Sequence, residues 1–236
     1  MRHSAAHVLA AAVLELYPQA KFGVGPVIEN GFYYDMELPI KLNPQDLLKI
    51  EKRMREIIKR NEEFVREEMP LDDAIAFFKK ANQPYKVDLL QSLKKKGSTA
   101  IDAEESLDIE QGAKTASVYR TGKFVDLCRG PHVKTSKEIG AIKLSSLSGA
   151  YWRGDENNTQ LQRIYGTAFA TEKELTDFLT MIEEAEKRDH RKLGKDLELF
   201  TVINEIGPGL PLFYPKGALL RRFVENYIIE EQEKRG

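Results

Sequence analysis

The stretch TASVYRTGKFVDLCRGPH, residues 115–132, decides the fold. Thr115–Arg120 and Lys123–Leu127 read as two strands parted by Gly122, and Gly130-Pro131 then predicts an irregular loop that carries Cys128 and His132. Further strand-like pieces at Ala141–Leu147 and Gln160–Tyr165, set off by Gly140 and Ser148-Gly149, extend the run to an antiparallel sheet. Helical patterns precede it. Met1–Tyr17 reads as a buried helix stopped by Pro18, and Pro44–Glu62 as an amphipathic helix built on Leu47, Leu48, Ile50, Met54, Ile57 and Ile58. Pro70 and Pro84 open two more helical stretches, the second with Tyr85, Lys86, Leu89 and Leu90. The predicted class is therefore α+β, an antiparallel sheet with packed helices.

Between the first two helices, Phe22–Glu37 reads as a β-hairpin turning at Asn30-Gly31. Phe64–Met69 adds a short strand. Lys94–Gly112 reads as an exposed insertion or long loop. Thr171-Glu172-Lys173-Glu174 has capping-box spacing and starts a long helix to about Arg188. Beyond Asn204 lie Gly207-Pro208-Gly209, Pro215-Lys216-Gly217 and an amphipathic helix whose apolar residues, Leu219, Leu220, Phe223, Tyr227 and Ile228, have no evident partner sheet.

At 236 residues, with 42% hydrophobic and 31% charged, the chain can bury a substantial core, which excludes collagen-like and low-complexity classes. Its 36 basic and 37 acidic residues leave a formal charge of −1, so any RNA contact must come from local patches. The single cysteine, Cys128, excludes an intramolecular disulfide. The first apolar run is too short to span a bilayer and lacks the order of a signal peptide, so a cytoplasmic location is expected.

Two of the four histidines, His3 and His7, are four apart in a helix and share one face. Cys128 and His132 are also four apart, in a loop. Three imidazoles and one thiol are a reasonable tetrahedral zinc set, and equally the residues of a partly buried helix face with a small core cysteine. Asp126 shares a strand face with Cys128; it suits a base or water-positioning group, or an ordinary loop hydrogen bond. Lys86 alone carries little signal, because helical lysines are usually solvated. Ser148–Asp155 holds the only tryptophan, Trp152, and reads either as a base-stacking clamp or as an aromatic plug. The basic cluster Lys49–Arg60 is interleaved with glutamates and reads as a solvated face rather than an RNA patch.

Taken in order, His3-Ser4-Ala5-Ala6-His7, the segment Gly25–Asp35, Asp126 through His132, and Gly149 through Tyr165 resemble the bacterial-type threonyl-tRNA synthetases. Arg188–Gly194 resembles the segment joining that family's editing domain to its catalytic core. The stretch from Gly207 through the helix at Ala218–Ile229 resembles the entrance to the class II catalytic domain, within motif 1. The resemblance implies an editing domain at 1–170, a linker helix region at 171–195, and a truncated class II start at 196–236.

It further implies hydrolysis of the aminoacyl ester of mischarged Ser-tRNA(Thr) by a positioned water, in a parent protein that ligates threonine to tRNA using ATP. The fragment itself is not expected to aminoacylate. Serine lacks only threonine's methyl, a difference worth about 1–3 kcal/mol in a pocket, so a second site that excludes the methyl is needed. By the resemblance His3, Lys86 and Asp126 are catalytic, while His7, Tyr34, Cys128 and His132 bind substrate. Cys128 as a covalent nucleophile is the minor alternative. The same His and Cys pattern resembles the alanyl-tRNA synthetase editing domain, where it binds zinc; here editing is expected to need no obligatory metal, and zinc on His3, His7, Cys128 and His132 stays open. The partner implied is tRNA(Thr), with no membrane, a homodimeric parent and a fragment free to be monomeric. A free-standing alanyl-type trans-editing hydrolase and a non-catalytic tRNA-binding module are the alternatives.

Overall fold

The computed structural model describes residues 1–96, 114–203, 205–207 and 209–236. The expected loop at Lys94–Gly112 falls mostly outside the described residues, but its first three belong to a helix. The chain divides into two compact units, Met1–Leu175 and Thr176–Gly236.

The first unit opens with helix α1 (Arg2–Leu16) and strands β1 (Lys21–Phe22), β2 (Val27–Ile28) and β3 (Gly31–Glu37). Helix α2 (Pro44–Arg60), strand β4 (Val65–Pro70), and helices α3 (Leu71–Lys80) and α4 (Pro84–Lys96) follow. Strands β5 (Thr115–Thr121), β6 (Phe124–Leu127), β7 (Ala141–Tyr151) and β8 (Gln160–Phe169) complete it, before α5 (Glu172–Lys187) runs on into the second unit.

The expected single run of antiparallel strands is corrected to two antiparallel sheets. One has the order β1-β3-β8-β7, with β2 on the free part of β3; the other is β4-β5-β6. α1 explains the division. Its residues from Ser4 to Val13 are all buried, so it is an interior helix without a wet face. It packs on α2, β3 and β8, and on β6 and β5 of the other sheet. A run of alanines suits that place, because small side chains let surrounding backbones approach from every direction.

α2 is the amphipathic helix its spacing predicts. Asn43 caps it through the Gln45 and Asp46 amides in a capping box, and Leu47, Ile50, Met54 and Ile57 are buried, whereas Leu48 is exposed. The arginines of this helix are ion-paired, Arg53 and Arg60 with Glu15, and Arg55 with Glu51 and Glu172. A second core forms where Leu71, Ala74 and Phe78 of α3 and Val87, Leu90 and Leu93 of α4 cover Ala116 and Val118 of β5.

The hairpin forms, though not for the expected reason. Ile28 pairs with Gly31, so the two turn residues are Glu29 and Asn30, and Gly31 is already in strand. A Cβ on Gly31 would stand 2.3 Å from the Gly166 carbonyl oxygen of β8. Glycine is there to let two backbones meet. Gly31→Ala is accordingly expected to destabilise the unit by ~1–3 kcal/mol through overpacking; a thermal melt unchanged within 1 °C would remove this explanation.

In the second unit, α6 (His190–Asp196) leads to the hairpin of β9 (Phe200–Thr201) and β10 (Leu212–Phe213), then α7 (Pro215–Glu233). Gly217 opens α7 where a Cβ would run into the Leu199 carbonyl. The apolar residues of α7 named above are all exposed, Phe223 and Tyr227 the most. Among the described residues no helix is long and apolar enough to cross a membrane.

Candidate active site

α1 presents His3 and His7 on one face, as the spacing predicts, with ring centroids 5.2 Å apart. The chain leaves β6 at Leu127 and brings Cys128 and His132 to the same place. Cys128 Sγ lies 3.2 Å from His3 Nε2 and 3.2 Å from His132 Nε2. His132 is held from behind: its Nδ1 meets the Ser4 hydroxyl at 3.1 Å, Phe64 stacks on the ring, and the Ser4 oxygen also accepts from the Val133 amide. Ser4 was missed as a site residue in the sequence. Its signal was position, the residue beside His3 on a helix with no exposed face.

The alternation Phe124, Asp126, Cys128 points inward along β6, as expected. Asp126 forms a buried ion pair with Lys86 of α4, and both side chains are less than 5% exposed. Tyr34 of β3 donates from its hydroxyl to Asp126 Oδ2 at 2.5 Å and accepts from Lys86 Nζ at 3.0 Å. His7 Nε2 stands 3.4 Å from the same carboxylate, and His7 Nδ1 is buried without a hydrogen-bond partner among the described residues.

The expectation that a helical lysine is solvated fails at Lys86. It lies three, four and seven residues before Leu89, Leu90 and Leu93, so it occupies the apolar stripe of α4. A charged residue inside such a stripe was the available signal. α4 is itself fixed by Trp152, which packs on Tyr85 and Leu89 and donates from Nε1 to Asp88 at 2.9 Å. Of the two readings of Ser148–Asp155, the structure has the plug: β7 continues to Tyr151, and Trp152 is buried.

A cavity of about 320 Å³ opens over this set. His3, His7, Lys86, Asp126 and Cys128 line it, with Val24–Val27, Leu89 and Arg129. Tyr34 and His132, expected to bind substrate, do not line it; Tyr34 is wholly buried behind Asp126, and His132 stands behind Cys128. Gly25 is needed at the wall, since a Cβ there would fall 2.3 Å from the Tyr34 ring.

Burial sets the protonation of these groups. It lowers the pKa of His3, and lowers that of His7 well below the ordinary range with help from His3 and Lys86. His132 is brought down to about 2 by burial and by the two other histidines. All three imidazoles are therefore neutral near pH 7. Burial, reinforced by Asp126, pushes the Cys128 thiol up to about 12, and the Tyr34 phenol well above its usual value. A thiol so raised stays protonated and is a poor nucleophile. What remains chemically competent at the cavity is a carboxylate with an adjacent ammonium group.

The donor set also suits a zinc ion. The four ligand atoms of His3, His7, Cys128 and His132 lie within 4.8 Å of one another, somewhat wider than the edges of about 3.3–3.8 Å that tetrahedral Zn–N and Zn–S bonds impose. Ser4 on His132 and Asp126 on His7 are the kind of outer partners that orient metal-binding imidazoles.

Residues 116–165 match the family described as the threonyl and alanyl tRNA synthetase second additional domain. The whole chain is 50% identical over 236 residues to a threonine–tRNA ligase of Dehalococcoides mccartyi strain BAV1, covering 37% of that protein. It is 50% identical to the threonine–tRNA ligase of Clostridium tetani and 51% to that of Clostridium novyi, covering 34% of each. The chain thus spans about a third of the length of these relatives.

Proposed function

From homology to the threonine–tRNA ligases along the whole chain, we propose that the first unit hydrolyses the ester of serine mistakenly joined to tRNA(Thr). In this reading residues 1–170 are the editing part, 171–195 a linker and 196–236 the start of a catalytic domain that ligates threonine to tRNA in the full-length protein. The observation that carries it is the buried Lys86–Asp126 pair lining a cavity, in a chain similar along its whole length to threonine–tRNA ligases, which join an amino acid to tRNA through an ester.

An aminoacyl ester is already activated, so little is asked of the protein beyond placing water and stabilising charge. Asp126 takes a proton from water as its oxygen bonds to the ester carbonyl carbon. The negative charge that develops on the carbonyl oxygen faces the Lys86 ammonium. Collapse breaks the bond to the ribose oxygen, which takes up the proton held by Asp126, and leaves serine and a free RNA hydroxyl. Tyr34 and His7 orient the carboxylate. His3 and Cys128, neutral at the wall, offer hydrogen bonds to the serine side chain, and the wall excludes threonine's extra methyl.

A zinc ion held by His3, His7, Cys128 and His132 would supply Lewis-acid polarisation of the ester. Because Asp126 and Lys86 already provide the base and the positive charge, hydrolysis is expected to stay within two-fold after exhaustive dialysis against a chelator. Loss of activity restored by added zinc would make the metal obligatory. The central test compares Ser-tRNA(Thr) with Thr-tRNA(Thr) as substrates of the chain. Serine-selective release supports the proposal, and binding of tRNA without hydrolysis of either ester would turn the reading into a non-catalytic module.

A further inference from the structure

We propose that Arg129 is the phosphate clamp of this site, gripping the RNA backbone next to the esterified nucleotide; this deepens the hydrolytic reading above and rests on it. Besides Cys128, five charged or titratable side chains line the cavity: His3, His7, Lys86, Asp126 and Arg129. Four of them are engaged with one another or with Cys128. Arg129 differs in each respect. It is exposed, and among the described residues its guanidinium has no hydrogen-bond or ion-pair partner.

The backbone beneath Arg129 is held on both sides. The Cys128 amide donates to the Ser117 carbonyl at 3.1 Å, and the Ser117 hydroxyl donates to the Cys128 carbonyl at 2.7 Å. The Gly130 amide donates to Cys128 Sγ at 3.2 Å, and a Cβ on Gly130 would stand 2.3 Å from the Tyr119 hydroxyl. A long cation on a braced loop costs less to order on binding than one on a free loop. Its five donors in a planar fork also match a phosphate better than an ammonium would.

Size fixes what the cation meets. About 320 Å³ is at the small end of ligand sites and suits an amino acid with its attached nucleoside. With the ester carbonyl at Lys86 and Asp126, the phosphate joining that nucleoside to the rest of the RNA must lie at the mouth, where Arg129 is the free cation among the lining residues described. The chain's formal charge of −1 gives no general attraction for RNA, so a single placed cation matters more here than on a basic protein.

The test uses two serine esters, 3′-seryl-adenosine, which carries no phosphate, and the seryl ester of the trinucleotide CCA, which adds two cytidines and the two phosphates that join them, with wild type, Arg129→Ala and Arg129→Lys. The expected result for Arg129→Ala on the trinucleotide is a ten-fold or greater rise in KM with little change in kcat. On seryl-adenosine it should stay within two-fold of wild type. Arg129→Lys should recover part of the loss, and the dependence of log(kcat/KM) on log salt should flatten by about 0.7 in the alanine variant, the value for one phosphate contact on a single strand. Equal losses on both esters, or none on either, would overturn the clamp while leaving hydrolysis intact. Failure of the wild type to cleave seryl-adenosine as well as the trinucleotide would overturn the hydrolytic reading and the clamp together.

Discussion

Asp126→Ala should abolish serine-ester hydrolysis and also weaken the fold. A general base contributes about 10²–10⁴ in rate, so its removal should lower kcat by that factor. The structural effect has a separate origin. Lys86 is 3% exposed and Asp126 2%, and removing one member of a buried ion pair strands the other, at ~3–5 kcal/mol. Asp126→Asn keeps an oxygen for the Tyr34 hydroxyl to donate to, so it should lose the activity with a smaller loss of stability. The pairing can be isolated with Lys86→Met, Asp126→Asn and the double variant in chemical denaturation. The double variant should be more stable than the sum of the singles allows, by at least ~1 kcal/mol, because neither charge is left alone. A wild-type rate in Asp126→Asn would dismiss Asp126 as the base, whatever the stability data show.

Mild acid should destabilise the first unit. His7 and His132 have pKa values held well below the ordinary 6.5, His132 at about 2, because burial opposes their charged forms. Above pH 6.5 each is neutral whether the chain is folded or not, and contributes nothing to the pH dependence. Below it, the unfolded chain binds protons that the folded chain refuses, so stability falls as pH falls, down to the folded pKa. Each such histidine costs about 1.4 kcal/mol per pH unit below 6.5, so His132 alone removes ~2 kcal/mol between pH 7.5 and pH 5, and His7 adds to the loss in the same direction. His3, lowered in the same direction, adds to this loss. Denaturant midpoints at the two pH values measure it, and the variant His7→Gln/His132→Gln should have the flatter profile. A midpoint unchanged from pH 7.5 to pH 5 would mean that these imidazoles accept protons in the folded state.

The residues differed sharply in how far the sequence alone could place them. Helical spacing was enough to put His3 and His7 on one face, and strand alternation enough to put Asp126 and Cys128 on another, because both are local properties of the backbone. The cap at Thr171 was legible for the same reason. Which strands shared a sheet was not. β4-β5-β6 separates from β1-β3-β8-β7 because α1 lies between them, and no local pattern of the strands encodes a helix 100 residues upstream. Gly31 misled for a related reason: an Asn-Gly pair is a local turn signal, while its glycine answers to the backbone of β8, 135 residues away. Lys86, Tyr34 and the free cation of Arg129 carry little signal individually. Their meaning comes from what the fold sets beside them, and for the first two only the resemblance to a family identified them beforehand.

The reactive set draws on four separate pieces of chain: His3 and His7 from α1, Tyr34 from β3, Lys86 from α4, and Asp126 and Cys128 from the end of β6. No one of these pieces holds both the base and its counter-charge. A chain that is half-made, frayed or misassembled therefore has no weakened version of the site; it has none. If the site hydrolyses aminoacyl-tRNA as proposed, this dispersal is a safeguard against indiscriminate cleavage, since damage to the protein makes it inert before it can make it unselective.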